Sequence, residues 1–271
     1  MIELSKAEID DLRDLNELCE HMNADLVIVG AIAYQIHFTD EELKTGDIDF
    51  AIALDLVDFA KLQAALSAMG WAQDSQREER WRSKRGALLD LIPAGKTLRE
   101  SKQFTWPKSE FTMSLQGFDH AFSEAEIVAV SDDLALPVIS PVVLKLLKII
   151  AFMDDPQRRR KDLFHIRALL SRYQVDSDRV FTDAIIGAGL EFSLASAFLL
   201  GIDLRNLCNG EEREVVRRFV GLVGDEDKSP WWAFVNASHR SGEREEEVAR
   251  EQLRAFSKGF QSVIPSLSVD T

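Results

Sequence analysis

The sequence predicts an α+β protein: a small mixed β-sheet core with flanking helices, followed by a helical C-terminal region. Three observations carry that expectation. Over residues 1–138, short apolar runs bounded by glycine or charged residues alternate with helical patterns. Over residues 139–271 the hydrophobic residues recur at helical spacing. One N-terminal run, TGDIDFAIAL at 45–54, sets two acids into hydrocarbon. With 271 residues and 46% hydrophobic content, the chain can bury a substantial core as one large domain or two small ones.

The elements follow in order. Ser5 and Glu8 form an S-x-x-E capping box, and Ile9, Leu12, Leu15, Cys19 and Met22 continue it at helical spacing. LVIV at 26–29 is a short strand that stops at Gly30, and AIAYQIHF reads as a short helix. The acidic strand at 47–54 precedes a helix from Leu56 to Met69, with Asp55 as N-cap and Gly70 as stop. Strands are expected on either side of Gly86, at 79–84 and 87–92. The stretch 96–137 is mixed, with FTWPKSEFTMSLQ and EIVAV extended. Ser140 followed by Pro141 is a helix start, and further helices are expected at 161–170, 178–187, 192–200, 211–223 and 244–260.

Composition excludes several classes. No window approaches the roughly 18 apolar residues of a membrane span, and the charged N-terminus is neither a signal nor a transit peptide. Cys19 and Cys208 lack metal or redox spacing and read as reduced core residues, which points to the cytoplasm. A net charge of −14 argues against generic polyanion binding, leaving RWRSKR at 80–85 and RRRK at 158–161 as the basic clusters for any nucleic acid. The alternative for both is solvated surface. The five histidines show no zinc spacing, and neither G-x-S-x-G nor a Walker pattern is present. Trp231 and Trp232 read as a hydrophobic anchor among the C-terminal helices.

The acids carry the chemistry. In a strand Asp47, Asp49, Ala51 and Ala53 share one face, and Ile48, Phe50, Ile52 and Leu54 share the other. Like charges on neighbouring same-face positions repel, and partly buried carboxylates need compensation. Asp90, inside a second apolar run, adds a third. Three carboxylates on adjacent strands can hold Mg²⁺ or Mn²⁺, shared with substrate phosphates, for phosphoryl or nucleotidyl transfer. The alternative is a solvent-facing strand, against which Ala51 and Ala53 speak. Gly30, opening a helix, offers unpaired N–H groups to a triphosphate, though a strand, glycine and helix in sequence also serve ordinary packing.

LVIVGAIA at 26–33, TGDIDF at 45–50 and LLDLI at 88–92 resemble the polymerase-β-type nucleotidyltransferase superfamily. PVVLKLLK at 141–148 and RKDLFHI at 160–166 resemble its bacterial subgroup that includes the abortive-infection toxin-like enzymes. The resemblance covers roughly residues 24–170. It implies Mg²⁺-dependent transfer of NMP from an NTP to an acceptor hydroxyl, with Asp47, Asp49 and Asp90 holding metal and Asp90 serving as base. It further implies that Gly30, Ala31 and Thr45 border the nucleotide and that Lys145 or Lys148 reaches the triphosphate. Lys161 and Asp162 would orient nucleotide or acceptor. The acceptor would be a small molecule, a protein side chain or a tRNA end, and an antitoxin partner is implied by part of the family. Ala31 stands where Gly or Ser is usual, Leu43 where Arg is usual and His165 where an acid is common. These departures keep open a catalytically weakened nucleotide-binding or regulatory module. A plain interaction protein with surface acids is the third reading.

Overall fold

The computed structural model describes residues 4–38, 46–175, 177–238 and 243–262. The chain divides into two compact units, Met1–Leu144 and Lys145–Thr271.

The first unit is a mixed seven-stranded sheet with helices. Helix α1 (Lys6–His21) opens on the expected capping box, with Ser5 and Glu8 satisfying each other's backbone N–H. Strand β1 (Leu26–Val29) is wholly buried and runs directly into α2 (Gly30–His37). Strand β2 (Asp47–Ile52) carries the acids, and α3 (Leu56–Ala68) follows it. Asp55 stands at the N-cap of α3, but its carboxylate accepts from the Leu98 N–H across the chain instead of capping its own helix. Strands β3 (Ala72–Gln73), β4 (Arg80–Arg82) and β5 (Leu88–Pro93) come next. The mixed stretch resolves into α4 (Lys96–Ser101), β6 (Gln103–Thr105), β7 (Thr112–Ser114), α5 (Phe118–Ser123), β8 (Ala125–Ser131) and β9 (Leu134–Ile139). The main sheet has the order β3-β4-β5-β2-β1-β9-β8, with β6 and β7 forming a separate ribbon.

Register places the site. β2 runs antiparallel to β1 and parallel to β5, while β4 is antiparallel to β5. Val29, Asp49, Asp90 and Arg80 are therefore opposite one another in a single row across four strands. On β2 the residues Ile48, Phe50 and Ile52 are buried, as the alternation requires. The acidic face is half-buried at Asp47 and Asp49 and closes completely at Ala51.

The second unit is helical. Helix α6 (Pro141–Asp154) starts in the first unit and continues into the second, which then contains α7 (Asp162–Arg172), α8 (Asp183–Gly187), α9 (Ala195–Leu207), α10 (Gly210–Val223), α11 (Ser229–Val235) and α12 (Glu243–Gln261). The helical patterns expected at 178–187 and 192–200 each begin as a 3-10 turn. Helices α9 and α12 meet at two glycines. A Cβ on Gly201 would lie 2.2 Å from the Phe256 carbonyl oxygen, and one on Gly259 would lie 2.1 Å from that of Phe198. Trp231 is buried and Trp232 half exposed, so the anchor is the first of the pair. Among the described residues no helix is long and apolar enough to cross a membrane. Burial raises both cysteine thiols to a pKa of about 12, which keeps them protonated and inert.

Candidate active site

The site lies at the start of β2, where three strands bring their polar residues to one face. Asp49 and Asp90 are directly opposite on parallel strands, about 4.8 Å apart in the pairing direction, and Asp47 is one pleat earlier on the same side. The sequence can specify this arrangement because side chains alternate strictly. A slip of β2 by one residue would turn Asp47 and Asp49 into the core and expose Ile48 and Phe50.

Gly30 shapes the neighbouring wall. It has φ +74°, the left-handed region that glycine enters without strain. A Cβ there would lie only 1.9 Å from Asp49 Oδ2. The missing side chain thus makes the notch at the beginning of α2 that the Asp49 carboxylate enters. Its position at a helix N-terminus is electrostatically favourable, because the helix dipole is positive there. Ala31, the next residue, is half-buried. Thr45, with Leu43 and Lys44, lies outside the described residues.

Arg80 changes the electrostatics that the sequence implied. Its Nε donates to Asp90 Oδ1 at 2.8 Å and its Nη2 to Asp90 Oδ2 at 2.8 Å, a fork on one carboxylate. The same Nη2 also bonds Asp47 Oδ2. Arg77 adds a third bond, from Nη2 to Asp90 Oδ2 at 3.0 Å. Asp90 is only 6% exposed, Arg80 19% and Asp47 31%, so the group grades from interior to solvent. The hydrogen bond to Asp90 leads the influences that raise the pKa of Arg80, and its charge is permanent. Among the described residues no group of three His, Cys, Asp or Glu side chains stands as a metal cage. The three acids are hard oxygen donors, the kind that Mg²⁺ or Mn²⁺ prefers. As they stand, however, a guanidinium holds the point where Asp47 and Asp90 meet.

The sequence placed Arg80 in a basic cluster read as solvated surface or as a patch for nucleic acid, and in the structure it bonds Asp47 and Asp90 instead. Arg85 is spent on Asp11 and Asp14, and Ser83 donates to the buried Asp11 while accepting from three backbone N–H groups of the turn. The cluster is largely a clasp between the β4–β5 hairpin and α1. The signal that could have shown Arg80's role is strand parity. It stands in the antiparallel partner of the Asp90 strand, where alternation brings one of the two basic side chains, Arg80 or Arg82, opposite the acid.

The second-unit candidates differ among themselves. Lys145 is completely buried, and its Nζ donates to the Ile166 carbonyl at 3.0 Å and lies 4.9 Å from the Phe256 ring centroid. Burial, with Arg167 adding to it, pulls its pKa well below the usual lysine value. In place of the implied reach to a triphosphate, the amine turns into the unit's interior. Lys148 donates to Asp162 at 2.8 Å, and Arg159 holds the other carboxylate oxygen at 2.5 Å. Lys161 is exposed at the N-cap of α7, whereas Lys145, Lys148 and Asp162 are buried.

Two solved structures share part of this architecture. The solution structure of the antibiotic-resistance factor ANT(2'')-Ia gives a TM-score of 0.37 and 14% identity, covering 57% of this chain and 77% of that one. The crystal structure of an antigenic nucleotidyltransferase-like protein from Paracoccidioides brasiliensis gives a TM-score of 0.41 and 16% identity, covering 62% and 77%. The chain is thus similar in structure, at low identity, to nucleotidyltransferase-like proteins. No family model and no curated protein matches it. At these levels the likeness describes part of a chain trace, and the chemistry of the site rests on its own side chains.

Proposed function

We propose that the chain is a nucleotidyltransferase that moves NMP from an NTP to an acceptor hydroxyl and releases pyrophosphate. The observation that supports it is the row of acids: Asp49 opposite Asp90 in register, Asp47 on the same face, and the Gly30 notch beside them. Asp47, Asp49 and Asp90 would hold a divalent ion once Arg80 withdraws. When bound, such an ion supplies Lewis-acid stabilisation of the developing charge on phosphoryl oxygens.

The chain's own groups then have distinct work. Asp90, the most buried of the acids, is proposed to take the acceptor proton, and it can do so only after its oxygens are released from Arg80 and Arg77. The N–H groups at the start of α2 would face phosphate oxygens. The acidic whole and the pairing of Arg80, Arg85 and Arg159 favour a small molecule or protein side chain over a long RNA as acceptor.

A second reading, a nucleotide-binding module without catalysis, is favoured by the same Arg80 bonds. Incubation with α-labelled NTPs, Mg²⁺ and cell extract separates the two. Label transfer that disappears in Asp49→Asn supports the enzyme. Nucleotide binding without transfer supports the module, and neither binding nor transfer removes both.

A further inference from the structure

We infer that Arg80 is a tethered cation that keeps Asp47 and Asp90 from a divalent ion until bound polyphosphate draws the guanidinium away. The inference rests on the nucleotidyltransferase reading for its second half, and on the geometry alone for its first. A single nitrogen, Nη2, bonds both Asp47 and Asp90, so the guanidinium stands where the two carboxylates converge.

The acids that Arg80 bonds, Asp47 and Asp90, are hard oxygen donors of the kind a divalent ion takes, and an ion in its place would bring two charges where the guanidinium brings one. Arg80 is also positioned to leave. It sits on a three-residue strand and keeps 19% of its side chain exposed, whereas Asp90 is nearly closed to solvent. A guanidinium fork matches phosphate as well as it matches carboxylate, so an NTP offers a destination of equal geometry and greater charge. Arg77, already bonded to Asp90 and half exposed, would keep that acid compensated during the exchange. A purely structural ion pair would also oppose metal, so the two roles separate in the response of wild-type Arg80 to polyphosphate.

The test is Mn²⁺ binding to the full chain without nucleotide, followed by electron paramagnetic resonance, for wild type, Arg80→Gln and Arg80→Lys. Arg80→Gln should bind Mn²⁺ about tenfold more tightly than wild type, equal to about 1.4 kcal/mol. Arg80→Lys, which keeps the charge but loses the fork, should fall between them. A folded Arg80→Gln that binds Mn²⁺ no more tightly than wild type overturns the inference. The wild-type protein gives a check that needs no variant. With ¹⁵N-labelled arginine, the Arg80 Nε–H resonance should leave its carboxylate-bonded position as Mg²⁺ and a non-hydrolysable NTP are added. A resonance that stays in place throughout also overturns it. Tighter Mn²⁺ binding by Arg80→Gln, with a wild-type resonance that moves with Mg²⁺ alone and no further with nucleotide, upholds the competition and removes the nucleotidyltransferase reading.

Discussion

At Gly30 a single missing Cβ decides whether Asp49 can stand at the start of α2. The left-handed φ and the 1.9 Å approach to Asp49 Oδ2 both oppose any side chain. Gly30→Ala should therefore cost about 1–2 kcal/mol of stability from backbone strain alone, and it should abolish NTP-dependent transfer by displacing Asp49. Gly221→Ala is the contrast. Gly221 lies in α10 with nothing within 4 Å of its would-be Cβ, so the change should stabilise by about 0.5–1 kcal/mol and leave transfer unchanged. Denaturant melts and the transfer assay read both. Lys145 makes the opposite point, since the residue type suggested phosphate and the burial assigns it to the interior. An amine with a lowered folded pKa costs stability wherever the unfolded chain binds its proton and the folded chain does not. Lys145→Met should be more stable than wild type at pH 7, and the gain should shrink as pH rises toward the usual lysine value of about 10.4. Urea melts at pH 7 and pH 10 check the sign, and a Met variant less stable at pH 7 would contradict it.

At the scale of elements, α6 and α7 are joined by the buried pair of Lys148 and Asp162. Burial raises the Asp162 carboxyl pKa, but Lys148 and Arg159 together outweigh it, and the net shift is downward. The unfolded carboxyl takes up its proton near the ordinary value of about 3.9. The pair's stabilisation is therefore fully present above that pH and is lost as pH falls through the lower folded value. Asp162→Asn leaves a buried ammonium without its charge partner and should cost about 3–5 kcal/mol at neutral pH. It should also flatten the acid limb of the stability profile below about pH 4, which circular dichroism melts along a pH series can follow. The capping boxes at Ser5–Glu8 and Asn209–Glu212 act at the same scale, each fixing where a helix begins. The first was legible from its spacing. The second lay in a region where helical periodicity alone located the helix.

For the whole molecule, the division into a strand-bearing first half and a helical second half was legible because periodicity is a local property. The β1–α2–β2 order and the β4–β5 hairpin followed from apolar runs interrupted by Gly30 and Gly86. The short helices α4 and α5 were not legible, since six residues contain less than two turns of pattern. β9 was lost in a stretch of mixed character, and its parallel pairing with β1 depends on distant sequence. Of the candidate site, Asp47 and Asp49 were legible from strand alternation and Asp90 from its place inside an apolar run. Arg80 was not, because its partners lie 33 and 10 residues away and its neighbours Arg82, Lys84 and Arg85 made it look like surface. A ligand seated on the acids should stabilise the folded protein by about 2.7 kcal/mol at a hundredfold over its dissociation constant. Mg²⁺ with NTP should therefore raise the melting temperature of wild type and not of Asp49→Asn. The most direct test of the central claim is a crystal grown with Mn²⁺ and a non-hydrolysable NTP. The account predicts an anomalous peak bonded to Asp47, Asp49 and Asp90, with the polyphosphate beside Gly30. A peak elsewhere, or nucleotide bound away from these acids, would contradict it.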